Sequence, residues 1–124
     1  MAKPQQEAAL YWVGDCLEVL RTFPKDIQQN FGGEIRRLQD GVQPMDSRPM
    51  KSIGHGVFEL RQRDTNGWYR VIYLSKVGNT LHMLHSFVKK SAKTSRKDLS
   101  IATNRLKAVR AKLLEEKKNE QKHK

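Results

Sequence analysis

The feature that most constrains the fold is residues 57–88, where hydrophobic and polar side chains alternate with a period of two. Three such runs, VFELR, WYRVIYL and TLHMLHSFV, are separated by the turns DTNG at 64–67 and VGN at 77–79. Alternation of this kind predicts β-strands, and connections this short join antiparallel neighbours. The sequence therefore predicts an antiparallel meander of three strands.

Two helices are predicted before the meander. The run LYWV at 10–13 favours a short strand, and Asp15, with Glu18 three residues later, forms a capping pattern that predicts a helix. Pro24 fits the first turn of a second helix, which ends near Gly41. The hydrophobic residues of this second helix recur at helical spacing: Ile27, Phe31, Ile35 and Leu38.

Residues 41–50, which contain two prolines, are predicted to form a loop. After the meander, Ser95 and Asp98 form a second capping signal at the start of a long helix. One apolar stripe follows on that helix: Leu99, Ala102, Leu106, Val109 and Leu113. We expect 115–124, which is polar throughout, to be a disordered basic tail. The whole chain, 1–124, is predicted to form one α+β domain.

The charge of the chain points to a polyanionic partner. The formal net charge is +11, and residues 51–97 carry ten Lys or Arg against two Asp or Glu. A basic surface of this kind is typical of proteins that bind nucleic acids. We therefore expect an anion to bind the middle of the chain.

Several other classes of protein are excluded or disfavoured. The single cysteine, Cys16, leaves no internal disulfide framework and fits a reducing cytoplasm. No apolar run is long enough to span a membrane, and the N-terminus has no secretion signal. His82 and His85, three apart on a strand, are expected on opposite faces, so no metal site is predicted. No cofactor is expected.

Strand alternation divides the meander into two faces. We expect one face to pack against the helices, with Phe58, Leu60, Tyr69, Val71, Leu84 and Val88. The opposite face is expected to carry Glu59, Arg61, Arg70, His85, Phe87 and Lys89. Such a face is either a solubilising surface or one wall of an anion site.

The residue types on this second face suit RNA. Guanidinium groups bind phosphate oxygens, aromatic rings stack on unpaired bases, and a carboxylate or imidazole transfers protons. RNA supplies its own nucleophile, the 2′-hydroxyl. A protein that cleaves it needs mainly to orient that group, assist its deprotonation and stabilise the charge on the phosphate.

The motifs of the meander carry a family resemblance. The succession KSIGHGVFELR, WYRVIY and LHMLHSFVKKSAKTS, followed by a helix with Asn104, Arg105 and Leu106, resembles the phage-related HigB-like branch of the RelE/ParE toxin superfamily. LYWVGDCLEVLRTFP at 10–24 is similar to that family's N-terminal stretch, so the resemblance covers roughly 10–110. It implies a RelE-like compact fold, with a curved antiparallel sheet, N-terminal helices and a long C-terminal helix.

The resemblance also implies roles for individual residues. Arg70 matches the arginine that RelE-like enzymes use at the scissile phosphate, and Lys89 and Lys90 match the basic pair after the last strand. Arg61 and Glu59 match the E-L-R motif. Further RNA contacts are expected from Lys51, Phe87 and Lys93.

The acid and base are not fixed by the resemblance. Some RelE enzymes rely on lysine where this chain has Glu59, and no tyrosine follows Lys90. Glu59 is one candidate for general base or for positioning, and His85 is the competing candidate for proton transfer. The anion-binding residues do not depend on this choice.

The implied activity is that of a type II toxin, a cytoplasmic endoribonuclease that cuts mRNA during translation, without metal. The implied partners are mRNA, the ribosome and a helix-turn-helix, HigA-like antitoxin, with DNA contacted only through the antitoxin complex and no membrane. Two other readings stay open: a non-catalytic nucleic-acid-binding module, and a ParE-like poison of DNA gyrase.

Overall fold

The computed structural model describes residues 7–44, 46–91 and 93–122. Along the chain the elements are β1 (Ala9–Trp12), α1 (Cys16–Leu20), α2 (Lys25–Gln39), β2 (Ser47–Pro49), β3 (Val57–Asp64), β4 (Gly67–Val77), β5 (Thr80–Lys89) and α3 (Arg96–Lys122). The predicted α+β class is confirmed, with a curved, mostly antiparallel sheet, short N-terminal helices and a long C-terminal helix.

The sheet has five strands in the order β1-β5-β4-β3-β2. The predicted meander is confirmed, because β3, β4 and β5 pair antiparallel through short turns. Gly78 adopts a left-handed φ of 62° in the β4–β5 turn, as two-residue hairpin turns require. β1 pairs parallel with β5. The three-residue β2 falls in the predicted loop 41–50, and its Pro49 is tolerated because β2 is an edge strand.

One face of the sheet packs against α1 and α2 through an apolar core. Ile27, Phe31 and Ile35 of α2 are buried there, as their spacing predicted. Cys16 is also buried in this core, 3.1 Å from the Ser86 hydroxyl, and burial raises the pKa of its thiol to about 11. The sheet contributes Leu60, Tyr69, Val71, Tyr73, Leu81 and Met83 to this face.

The other face is covered by α3, whereas the sequence predicted helices on one face only. Ala102, Leu106 and Val109 of α3 lie in a second apolar core. This core includes Ile53 from the turn before β3 and the strand residues Val57, Ile72, Leu74, Leu84 and Phe87. The sheet is therefore the middle layer of three.

A β-bulge in β5 changes which residues face α3. His85 lies opposite Ile72 but Met83 lies opposite Tyr73, so Leu84 is an extra residue between them. The prediction that Leu84 shares a face with Leu60, Tyr69 and Val71 is therefore wrong, since Leu84 lies in the core under α3.

Two further expectations about β5 are also wrong. Val88, predicted to pack against the helices, is 48% exposed. His82 was expected on the face opposite His85, yet it lies beside Lys112 and Leu113 of α3. The bulge explains this, because the extra residue restores both histidines to the same face, about 10 Å apart along the strand.

The C-terminal helix is longer than predicted. We expected disorder at 115–124, but α3 continues to Lys122, and residues 123–124 lie outside the described part of the chain. Lys, Glu and Gln are good helix formers, and extending a helix that is already packed requires no new nucleation. In the described ranges, no helix is long and apolar enough to cross a membrane.

Candidate functional site

On the side of the sheet that faces α3, the cross-strand pairs of β3, β4 and β5 form three rows of side chains near one end of the sheet. The inner row is Glu59, Ile72 and His85; the middle row is Arg61, Arg70 and Phe87; the outer row is Arg63, Trp68 and Lys89. The prediction that Glu59, Arg61, Arg70, His85, Phe87 and Lys89 share one face is therefore confirmed. The apolar core under α3 reaches into the inner and middle rows through Ile72 and Phe87.

Arg70 is buried in an ionic cluster. Its Nη1 donates hydrogen bonds to both carboxylate oxygens of Glu59, at 3.3 and 3.1 Å, and to Oγ1 of Thr94 at 2.8 Å. The Thr94 hydroxyl in turn donates to Glu59 Oε2 at 3.3 Å. Arg70 is only 2% exposed and Glu59 3%. These contacts fix the guanidinium between a carboxylate and the residues that follow β5.

Arg61 lies beside this cluster. Its Nε is 3.9 Å from Glu59 Oε1 and 4.0 Å from Asp46 Oδ2, and its side chain is 11% exposed. Glu59 therefore has both arginines of the middle row as neighbours. Asp46 is the second carboxylate beside Arg61, but its side chain is 47% exposed, so solvent weakens its hold on the guanidinium.

A second polar cluster surrounds Asp98 in the first turn of α3. His85 Nε2 lies 2.8 Å from Asp98 Oδ1, and Lys89 Nζ lies 3.2 Å from Oδ2. Ser95 Oγ donates to Asp98 Oδ2 at 2.6 Å and accepts from the Asp98 N–H at 3.2 Å, as the predicted capping signal requires. Asp98 thus joins His85 and Lys89 to the start of α3.

The charge state of Asp98 follows from these contacts. Burial alone raises the pKa of its carboxyl, but the hydrogen bonds from Ser95, His85 and Lys89 outweigh burial and lower the pKa below the usual value. Asp98 is therefore ionised at neutral pH. The Phe87 ring stacks on the His85 ring with 5.0 Å between centroids, which holds the imidazole in place.

Residues 90–91 and 93–95, which we call the connector, link the two clusters. Thr94 binds Arg70 and Glu59, and the neighbouring Ser95 binds Asp98. The sequence predicted Thr94 and Ser95 only as a loop and helix cap, and it missed their contacts with the charged face. The connector therefore covers the inner and middle rows.

The outer row is the open part of the face. Arg63 and Lys90 are exposed, and Lys89 and Trp68 are half-buried. The Trp68 ring lies 5.1 Å from the guanidinium carbons of both Arg61 and Arg63, and 5.9 Å from that of Arg70. A groove of about 450 Å³ runs beside it between Arg63, Trp68 and Lys90.

Three residues that were predicted to contact RNA, Phe87, Lys51 and Lys93, lie in three different environments. Phe87 is buried under α3, because its ring completes the second core. Lys51 is exposed in the turn before β3. Its neighbour Met50 donates a backbone hydrogen bond to Val57, and Val57 lies about 13 Å from Arg61 along β3. Lys93 is exposed on the connector. Phe87 therefore has no free ring face for a base, and Lys51 lies outside the three rows.

Besides Thr94 and Ser95, the sequence-based prediction left Asp98 and Trp68 out of the site. Asp98 was read as a capping residue, and no pattern places it beside His85, since thirteen positions separate the two in the chain.

In residues 7–44, 46–91 and 93–122, no three His, Cys, Asp or Glu side chains are grouped so as to hold a metal ion.

Comparison with known proteins identifies a family for the chain. Residues 18–107 match the sequence model of the family described as phage-derived protein Gp49-like (DUF891). The match runs from α1 into α3 and contains all three rows and the connector. No curated protein matches the chain. By the family match, the chain belongs to the Gp49-like family of phage-derived proteins, which is a family of RelE/HigB-like toxins.

Proposed function

We propose that this protein is the HigB-like toxin of a type II toxin–antitoxin pair, and that it acts in the cytoplasm as a metal-independent endoribonuclease on translated mRNA. The observation that carries the proposal is the convergence of Arg61, Arg70 and Lys89 with a paired His85 on one end of the sheet. Membership in a toxin family and the charge of +11 support it.

Phosphate binding falls to Arg70 and Arg61 in this proposal. As the 2′-hydroxyl oxygen attacks phosphorus, the bond to the 5′-oxygen breaks and a 2′,3′-cyclic phosphate forms. Negative charge grows on the non-bridging oxygens, where a fixed guanidinium stabilises it most. Glu59 orients Arg70 and offsets its charge while no RNA is bound.

Proton transfer falls to His85. Both Glu59 oxygens already accept hydrogen bonds from Arg70, so Glu59 fits a positioning role better than that of a base. Asp98 fixes the His85 ring through Nε2, which leaves Nδ1, buried and without a hydrogen-bond partner among the described residues, for the exchange of a proton. Lys89 and Lys90 hold the RNA backbone beside it.

RNA reaches Arg70 only if the connector moves. The Thr94 hydroxyl bridges Arg70 and Glu59, and Arg70 is almost fully buried. A phosphate that replaces Thr94 and Glu59 on the guanidinium exchanges one set of charge-assisted hydrogen bonds for another. Lys90 and Lys93 are exposed on the same segment and attract the anion before it enters.

The burial of Arg70 also favours a second candidate, a nucleic-acid-binding module without catalysis. In that case Arg63, Lys89 and Lys90 grip phosphates, and the inner residues serve only to hold the connector. A ParE-like gyrase poison is the third possibility, and it predicts DNA damage with intact mRNA.

Expression in growing cells separates these functions. We expect the wild type to arrest growth and to degrade translated mRNA without DNA damage, and Arg70→Lys to do neither. Growth arrest with intact mRNA and damaged DNA contradicts the ribonuclease proposal.

We further propose that the product of a neighbouring gene, a helix-turn-helix, HigA-like antitoxin, covers the basic face or the sheet edge. Co-expression that neither binds nor neutralises the toxin contradicts this pairing.

A further inference from the structure

Trp68 is a half-buried aromatic ring on the charged end of the sheet, and a groove lies beside it. It lies on β4 in the outer row, between Arg63 on β3 and Lys89 on β5. Phe87, the aromatic residue predicted from sequence to bind RNA, is 6% exposed and stacks on His85. If a base stacks on this face, Trp68 offers the accessible ring.

The neighbours of Trp68 are those of a binding residue. Three guanidinium groups surround the ring, at 5.1, 5.1 and 5.9 Å, and the groove beside it also contains Asp64, Asn66 and Lys90. A tryptophan that served only to fill a core would lie among aliphatic side chains. Cation–π contact explains how the arginines hold the ring in place, but it leaves the open groove unexplained.

The hairpin that carries Trp68 is rigid. Asp64 Oδ1 accepts hydrogen bonds from the backbone N–H groups of Asn66 and Gly67, at 2.8 and 3.1 Å. Asp64 Oδ2 accepts a hydrogen bond from the Tyr69 hydroxyl at 3.2 Å. The carboxylate of Asp64 is therefore engaged in the turn, and the ring stands on a fixed support that loses little entropy when a ligand binds.

We propose that Trp68 is a stacking platform for an unpaired RNA base next to the scissile phosphate. Arg63, which is exposed, gives up its place over the ring to the base, and with Lys90 it binds the flanking phosphates. Arg61 is held near Glu59 and Asp46 and keeps its position. The platform rests on the proposed ribonuclease function, since Arg70, 5.9 Å from the ring, would bind the phosphate attached to that base.

Stacking has a measurable consequence for affinity. Removing an aromatic platform costs about 1–3 kcal/mol per base, which corresponds to about 5- to 150-fold in Kd. Because every base has a π-face, the platform favours unpaired RNA without a strong base preference. An abasic position should therefore weaken binding to the wild type but not to a variant without the ring.

The first test uses Trp68 fluorescence. The chain has two tryptophans, and Trp12→Phe leaves Trp68 as the single reporter. We expect an uncleavable 2′-O-methyl oligoribonucleotide to quench Trp68 emission in this background and to bind with wild-type affinity. Binding of the oligonucleotide without quenching would overturn the platform, because RNA would then lie away from the ring.

The second test compares Trp68→Leu, Trp68→Phe and Trp12→Phe by anisotropy of the same labelled oligonucleotide, with and without one abasic position. We expect Trp68→Leu to lose affinity by about 5- to 150-fold and to lose discrimination against the abasic site, Trp68→Phe to retain part of both, and Trp12→Phe to retain all. Wild-type discrimination in Trp68→Leu would overturn the proposal. If Trp68→Leu fails to fold, the quenching of Trp68 emission by the oligonucleotide in the Trp12→Phe variant tests the platform instead.

The two proposals fail differently. If the wild type cleaves RNA and Trp68→Leu cleaves with the same KM, the ribonuclease stands and the platform is wrong. If the wild type neither binds nor cleaves RNA, both are wrong. If Trp68 is the platform, Trp68→Leu should raise KM and leave kcat almost unchanged, because the ring contacts the bound base in the ground state and transition state alike.

Discussion

The two faces of the sheet are both covered by helices, but they differ in what lies beneath. The face under α1 and α2 has an apolar core with packed aromatic rings, in which the ring centroid of Phe23 lies 5.0 Å from that of Tyr69 and 6.1 Å from that of Phe31. The face under α3 is apolar only beneath the middle of that helix. Where α3 begins, the side chains become Glu59, Arg70 and Asp98, still buried but charged.

This difference separates residues needed for the fold from residues available for function. Apolar burial is the main favourable term in folding, so the residues of the face under α2 contribute chiefly to stability. A buried ion pair adds little, because desolvation offsets most of the attraction, and apolar residues of the same size serve as well. The charges beneath the start of α3 therefore call for a functional explanation, which the proposed RNA site supplies.

The largest expected effect is on stability, at the face under α2. Phe31→Ala removes a fully buried ring and should lower the free energy of unfolding by about 3–5 kcal/mol. Urea unfolding followed by circular dichroism measures this loss. Cleavage per folded molecule should stay near the wild-type value, and a large loss of cleavage by folded protein would contradict the separation of the two faces.

The next effect is on chemistry, at the face under α3. His85→Ala should lower the cleavage rate by about 10²- to 10⁴-fold, because it removes the proposed proton-transfer group, while RNA affinity changes little. His82→Ala is the matched control, since it removes the same ring from the same face at the other end of β5. Equal losses in the two variants, measured by single-turnover cleavage, would exclude the assigned role of His85.

A smaller effect concerns pH. The pKa of Asp98 is lowered in the folded protein by its hydrogen bonds with Ser95, His85 and Lys89, which outweigh its burial, so ionised Asp98 stabilises the fold above its usual value of 3.8. Asp98→Asn should lose about 1.5–3 kcal/mol near pH 7. The difference from wild type should shrink as pH falls through the folded pKa. A difference independent of pH between 7 and 2 would contradict the ionic cluster.

The smallest effect is on RNA affinity at the exposed edge of the site. Lys90→Ala should weaken binding a few-fold and reduce the slope of log K against log salt concentration by about 0.7, the value for one phosphate contact on single-stranded RNA. Lys25→Ala, exposed on α2 and so on the other side of the sheet, is the control and should leave both unchanged. Equal changes in the two variants would indicate binding by net charge alone.

Much of the fold follows from local patterns. Period-two alternation and the turns at 64–67 and 77–79 predicted the meander, and helical spacing predicted α2 and α3. The shared face of Arg61, Arg70 and Lys89 also followed, because alternation is unbroken on β3 and on the first half of β4.

The remaining features depend on tertiary contacts. The bulge at Leu84 is invisible in TLHMLHSFV, where apolar residues occupy both parities, so the position of His82 was also wrong. The burial of Arg70 requires α3 and the connector to fold over the sheet, which no local pattern encodes. The pairing of Asp98 with His85 and the exposure of Trp68 follow from the same packing.

The most direct test of the RNA site maps cleavage of one translated message by purified protein, with and without ribosomes. The comparison is between wild type and Arg70→Lys, which keeps the charge but loses the fork of donors. We expect the wild type to cut the translated message and leave 2′,3′-cyclic phosphate ends, and the variant, with unchanged thermal unfolding, to cut about 10²- to 10³-fold more slowly. Cleavage by folded Arg70→Lys at the wild-type rate would contradict the assignment of this face as the active site.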